Sequence, residues 1–140
     1  MRYLFWAQVN LVMKTVTAAI LLQDDRVLIA QRRAGDKLAN KWEFPGGTVE
    51  KGETPEQCLK REMKEEFEVD VMVGECIGES IYDYDHGSIR LLAYRTYWIG
   101  GEIDLKVHDD YKWVLVNQLN RYDLAPADIP IAKEIMRNDW

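Results

Sequence analysis

Between Gly47 and Val69 the chain reads Gly-x5-Glu-x7-Arg-Glu-Met-Lys-Glu-Glu and closes on Phe67-Glu68-Val69. Pro45-Gly46-Gly47 forms a glycine-rich turn before it, and Thr54-Pro55-Glu56-Gln57 starts a helix. Thr54 suits the cap, Pro55 the first helical position and Gln57 the third position of a capping box. Leu59, Met63 and Phe67 recur every four residues and form one buried stripe. Glu62, Glu65 and Glu66 lie beside it, within roughly a third of the helix circumference at about 100° per residue. Like charges at that spacing destabilise a helix. A divalent cation reverses the sign of this cost, and magnesium takes hard oxygen ligands from a few carboxylates together with substrate phosphates. Acidic runs on helices are usually solvated faces. What sets this one apart is the fixed separation of Gly47, Glu53, Arg61 and the three acids. The helix must therefore lie on a sheet, with its acids at the rim of a cleft.

The remaining pattern supplies that sheet. Thr15–Leu22 is β-branched and apolar, Gln23-Asp24-Asp25 is a turn, and Arg26–Ala30 returns as a hairpin partner. Gln31–Lys41 is polar and reads as a loop, and Trp42-Glu43-Phe44 is a short strand that Pro45-Gly46-Gly47 ends. Strands are expected at 69–73, 76–84, 89–99 and 112–116, punctuated by Gly74, His86-Gly87 and Gly100-Gly101. A short turn or helix follows at 117–119, and Ile129–Met136 is a final helix after Pro126. Strands outnumber helices without a regular βα alternation, which predicts an α+β layered domain.

At 140 residues the chain is long enough for one domain that buries about 68–70% of its unfolded surface. The net charge of −6 argues against stable, sequence-independent binding to nucleic acid, which needs basic surface. It does not exclude a nucleotide, since a metal ion can mediate between acidic protein and phosphate. The two cysteines, Cys58 in the helix and Cys76 in an apolar strand, read as unpaired core residues of a reducing, cytoplasmic protein. No stretch has the length of a membrane span. Residues 1–12 are apolar and aromatic without a small-residue cleavage site. They read either as an extra edge strand or as a stretch upstream of a start at Met13, ahead of one domain over 13–140.

The Gly47–Val69 segment resembles the signature of the Nudix hydrolases, Gly-x5-Glu-x7-Arg-Glu-apolar-x-Glu-Glu-x-Gly-apolar. It departs only where Glu68 replaces the second Gly. The resemblance implies a Nudix-type α/β/α sandwich and a hydrolase of pyrophosphate bonds that uses Mg2+, with Mn2+ as the alternative. It also implies roles by position. Glu65 and Glu66 would ligate metal, Glu62 would be a ligand or the general base, Arg61 would orient it, and the Gly46 carbonyl would complete the shell. Glu53 would anchor the loop by pairing with Arg61 or act in catalysis. A Gly at position 68 would end the helix in the left-handed conformation, so Glu68 puts that helix end in question.

The likeness extends to Gln31-Arg32-Arg33-Ala34, Ala39–Pro45 and Leu124–Pro130, which look like the MutT branch and especially its CTP pyrophosphohydrolase members. Such enzymes cleave nucleoside triphosphates to monophosphate and pyrophosphate, some preferring oxidised bases such as that of 8-oxo-dGTP. Phe44 and Asp128 would then frame the base, Tyr84 would add an aromatic wall and Arg33 would reach a phosphate or the base. A carboxylate accepts from an exocyclic amine, which argues mildly against thymine and uracil. Asp128 equally suits a helix N-cap, Phe44, Trp42 and Trp113 a core, and Arg32 and Arg33 a solvated loop. Relatives often carry a Glu before the His of a His-x4-Trp segment. Here Val107 precedes His108, and Asp109 or Asp110 would substitute or remain a solvated turn. His86 and His108 lack partners at zinc spacing. The implied partner is a free nucleotide, for a monomer or homodimer. The same residues would also serve a nucleoside diphosphate linked to a sugar or nucleotide, or a module that binds without hydrolysis.

Overall fold

Strand β1 (Lys14–Gln23) sends Ala18 and Ile20 to one face and Ala19 and Leu21 to the other, and all four are buried. A strand apolar on both faces needs cover on both. The computed structural model, which describes residues 13–138, supplies it with two helices. The two readings of residues 1–12 lie outside the described residues. β1 runs parallel to β6 (Gly87–Gly101), from Lys14 opposite Ile89 to Leu21 opposite Thr96. It also pairs antiparallel with β4 (Gly46–Thr48) and turns through Asp24-Asp25 into β2 (Arg26–Arg32). β2 carries β3 (Trp42–Glu43) and β7 (His108–Leu115), while β5 (Val69–Tyr84) lies outside β6. The order is β3-β2-β1-β6-β5.

Helix α1 (Pro55–Phe67) seals one face by placing Leu59, Met63 and Phe67 against Ala19, Leu21, Leu28 and Leu92. Helix α2 (Asp128–Arg137) seals the other with Ile131, Ala132 and Ile135 against Ile20, Ile29 and Ala93. Each fully buried Leu, Ile, Met or Phe side chain contributes about 1.5–3 kcal/mol. The expected mixed sheet between helices is what forms. Among the described residues no helix is long and apolar enough to cross a membrane.

The α1 start matches the sequence: Thr54 Oγ1 accepts from the Gln57 N–H at 3.1 Å, and Gln57 Oε1 from the Thr54 N–H at 2.9 Å. Its end answers the question posed by Glu68, which takes the left-handed conformation at φ 59°, ψ 30° and donates its N–H to the Lys64 carbonyl. The helix thus stops where a Gly would stop it, and an L-residue bears the strain.

Several local expectations are corrected. Gly46 and Gly47 do not end a strand but form one with Thr48, because a residue without Cβ can approach β1 closely: a Cβ on Gly46 would lie 1.9 Å from the Thr17 carbonyl oxygen. Gly74 interrupts nothing, whereas Gly100-Gly101 are the last two residues of β6, which ends there. β5 runs unbroken through register shifts between Val73 and Cys76 and between Cys76 and Gly78, where small residues permit bulges. β7 begins at His108, earlier than expected, so Asp109 and Asp110 are strand residues. Cys76 is exposed on edge strand β5 and not in the core, whereas Cys58 is buried. Trp113 is half-buried, stacked on Trp98 at 6.2 Å. Ala127 holds the α2 N-cap position, so Asp128 does not cap the helix.

Candidate active site

One cleft of about 730 Å3 opens between the β3–β4 turn, α1 and the β5–β6 hairpin. At its acidic end the side chains are set by glycines. The Glu62 carboxylate lies where a Cβ of Gly47 would be, 2.3 Å from the Glu62 Cδ, so only glycine leaves room for it. Thr17 Oγ1 donates to the Gly47 carbonyl at 3.2 Å and fixes the turn to β1. Arg61 is the hub beneath. Its Nε and Nη2 donate to the two oxygens of Glu53 at 2.7 and 3.0 Å, a bidentate pair. Its Nη1 donates to Glu62 Oε1 at 2.8 Å and Glu65 Oε2 at 3.1 Å. Glu53 also accepts the Glu50 N–H at 3.0 Å. The Arg61 bond, with the Glu50 amide, holds the Glu53 carboxyl down at about 2, and the Glu53 bond raises the already high pKa of Arg61. The sequence expectation of a Glu53–Arg61 pair is thereby met in geometry.

Glu62 and Glu66 both line the cleft; Glu65 does not, being mostly exposed and turned onto Arg61. Burial, followed by the charges of Glu62 and Glu43, pushes the Glu66 carboxyl up to about 8. Gly46 lines the same end.

In the same cleft the Phe44 N–H donates to Asp128 Oδ2 at 2.8 Å, and both residues are buried while still facing it. Burial, reinforced by the Glu43 charge, drives the Asp128 carboxyl well above its ordinary range, against the Phe44 amide. The Tyr84 hydroxyl accepts the Ala127 N–H at 2.9 Å, pinning the β5–β6 hairpin to the start of α2.

Arg33 stays out of the cleft, donating through Nη2 to the Lys106 carbonyl at 2.7 Å. Asp109 and Asp110 are exposed and also outside it. Among the lining residues that the sequence reading did not select are Arg32, Glu43 and His108. Glu43 Oε1 accepts from Arg32 Nη1 at 3.2 Å and its Oε2 meets His108 Nε2 at 2.9 Å. The shift between Gln31 and Arg32, which pairs Arg32 with His108 and leaves Asp109 over, accompanies the inward turn of His108 against Phe67. Its Nδ1 is buried without a hydrogen-bond partner. The available signal was an acid between two core aromatics, Trp42 and Phe44.

This donor set fits a hard divalent cation. Glu43, Glu62 and Glu66 all line the cleft, and burial together with the charges of Glu62 and Glu43 raises the Glu66 carboxyl; carboxylates are the hard oxygen donors such a cation takes. Among the described residues no three acidic, histidine or cysteine side chains already converge as a closed ligand set, Glu65 being held by Arg61.

Residues 13–135 match the NUDIX domain family. The chain belongs to this family. The Escherichia coli CTP pyrophosphohydrolase is 36% identical over 121 residues, covering 86% of this chain and 90% of that protein. The E. coli 8-oxo-dGTP diphosphatase is 31% identical over 115 residues, 82% and 89% of the two chains. The solution structure of the MutT protein of Staphylococcus aureus superposes with a TM-score of 0.73 at 38% identity, covering 89% and 96%. This Nudix hydrolase is thus an enzyme of the MutT branch that acts on phosphoric anhydride bonds. Its acidic α1 face is the signature helix.

Proposed function

We propose that this Nudix hydrolase cleaves nucleoside triphosphates to the monophosphate and pyrophosphate with Mg2+, or Mn2+ in its place. Its substrates would be CTP or dCTP, or oxidised nucleotides such as 8-oxo-dGTP, in sanitation of the nucleotide pool. The observation that carries the reading is the lining of one cleft, which brings Glu62 and Glu66 together with Phe44, Tyr84 and a buried Asp128 bonded to the Phe44 amide. A nucleotide asks for both kinds of group, a charge-neutralising partner for its phosphates and a flat, hydrogen-bonding pocket for its base. The activities for which the two E. coli relatives are named and the acidic net charge, which favours a free nucleotide over a polymer, support it.

Glu62, Glu65, Glu66 and the Gly46 carbonyl would hold the cation, for which Glu65 must leave Arg61. When bound, the cation neutralises phosphate charge and activates water at neutral pH. Pyrophosphate hydrolysis asks for charge neutralisation and an oriented water more than for a strong nucleophile. Glu62, held at 2.8 Å by Arg61, would receive the proton of the attacking water, and Glu53 would keep Arg61 fixed in that task. Asp128 would read the edge of the base while Phe44 and Tyr84 wall it. Arg32, which lines the cleft, is better placed than Arg33 to meet a phosphate. The test is pyrophosphate release from a panel of normal and oxidised triphosphates, in wild type and in Glu65→Gln and Glu66→Gln. Loss by about 100-fold or more in the variants supports the assignment; full activity in both would sink it.

A further inference from the structure

Arg32, Glu43 and His108 come from three strands and bind in series. His108 Nε2 on β7 meets Glu43 Oε2 at 2.9 Å, and Glu43 on β3 accepts from Arg32 Nη1 on β2 through its other oxygen at 3.2 Å. A carboxylate paired with a guanidinium accepts and does not donate, so the proton of the first contact belongs to His108 Nε2. The side chains grade from inside to outside: His108 is 4% exposed, Glu43 19% and Arg32 29%. His108 is thus the buried anchor of the series, with its ring tilted against Phe67 at 5.1 Å.

Arg32 is held from a second side as well. Its Nε donates to the Lys37 carbonyl at 2.7 Å, and its backbone N–H and carbonyl bond to Lys41 and Asn40, so the loop 33–41 closes on it. Among the described residues Nε and Nη1 have protein acceptors and Nη2 has none. A planar cation fixed at two nitrogens, with the third open and the side chain lining the cleft, suits an anion. The Arg32 charge reaches both functional carboxyls: it opposes the rise that burial first, and then nearby acids, impose on Glu66 and Asp128.

We propose that His108 is a positioning residue: acting through Glu43, it holds the Arg32 guanidinium in place to bind a phosphate of the substrate through Nη2. This inference rests on the proposal that a nucleoside triphosphate occupies the cleft. Without the His108 donor one Glu43 oxygen loses its partner, the carboxylate can swing, and the guanidinium is released with it. A released Arg side chain must be ordered anew on binding, which weakens affinity. Arg32 grips charge that the substrate carries before and during the reaction, so the loss falls on KM more than on kcat.

The experiment measures kcat, KM and Tm on a panel of nucleoside triphosphates. The proteins are wild type, His108→Gln, His108→Phe, Arg32→Ala and the double variant His108→Phe with Arg32→Ala. Glutamine keeps an N–H donor without the ring, whereas phenylalanine keeps the ring without the donor. KM should rise about tenfold in His108→Phe, equally for every base, and less than about twofold in His108→Gln. Arg32→Ala should raise KM at least as far, and adding His108→Phe to it should bring no further loss, because the two act as one unit. Glu43→Gln, which replaces one accepting oxygen with a donor, should reproduce the loss if His108→Phe does not fold; a wild-type KM there would overturn the proposal. A KM raised in His108→Gln as far as in His108→Phe, or further, would show that the ring only packs against Phe67 and would overturn it. Effects that multiply in the double variant overturn it too, as does a loss confined to certain bases, which would assign Arg32 to the base. Any of these results in a wild type that hydrolyses nucleoside triphosphates overturns this inference alone. A wild type that hydrolyses none overturns the parent reading with it.

Discussion

Glu66 is the residue on which charge and chemistry meet. Its carboxyl is pushed from 4.5 up to about 8 by burial and by Glu62 and Glu43, so the fold prefers it protonated. Without a cation, its contribution to stability is complete below about 4.5 and is lost as pH rises through about 8. Glu66→Gln cannot ionise. In chelator its advantage over wild type should therefore grow between those limits and level off above them at about 2 kcal/mol, after allowance for solvent screening. Magnesium should reverse the order at pH 8 by stabilising the wild type alone. Thermal melts at several pH values with chelator or magnesium check both signs. Gly47 gives a second residue-scale prediction. In Gly47→Ala the new Cβ displaces the Glu62 carboxylate it would meet at 2.3 Å, and a misplacement near 1 Å costs about 100-fold in kcat with little change in Tm.

At the scale of the element, α1 combines a legible beginning and a legible middle with an end that only coordinates reveal. The capping box at Thr54 and the stripe of Leu59, Met63 and Phe67 follow from local chemistry, which is why the sequence shows them. Glu68 does not follow, since a Glu in the left-handed region is held there by what comes after it: Val69 is buried and committed to β5. Glu68→Gly should relieve about 1 kcal/mol of strain and raise Tm by a few degrees, with kcat unchanged because Glu68 lies outside the cleft. A lower Tm would mean that its contact with Lys106 at 3.5 Å outweighs the strain. The opposite change to the stripe, Leu59→Ala, should cost about 2–5 kcal/mol in denaturant unfolding.

Across the whole molecule, the layers and the acidic end of the site were legible because both rest on periodicity: alternation in β1, fours in α1, and fixed spacings from Gly47 to Glu66. The Arg32–Glu43–His108 chain was not, because its members meet from three strands through a register shift that no local pattern encodes. The sequence does not separate Arg32 from Arg33 either: β2 ends at Arg32, whose pairing with His108 sets it at the cleft, while Arg33 lies just past the strand end and turns onto the Lys106 carbonyl. Glu62 and Glu66 share a single cleft with Phe44, Tyr84 and Asp128. The central claim is that the bond broken is the one that frees pyrophosphate. Purified protein incubated with magnesium and CTP, dCTP or 8-oxo-dGTP, followed by separation of the products, measures it directly. The account predicts nucleoside monophosphate and pyrophosphate in equal amounts from at least one of them. Nucleoside diphosphate with inorganic phosphate, or tight binding without turnover, would contradict it.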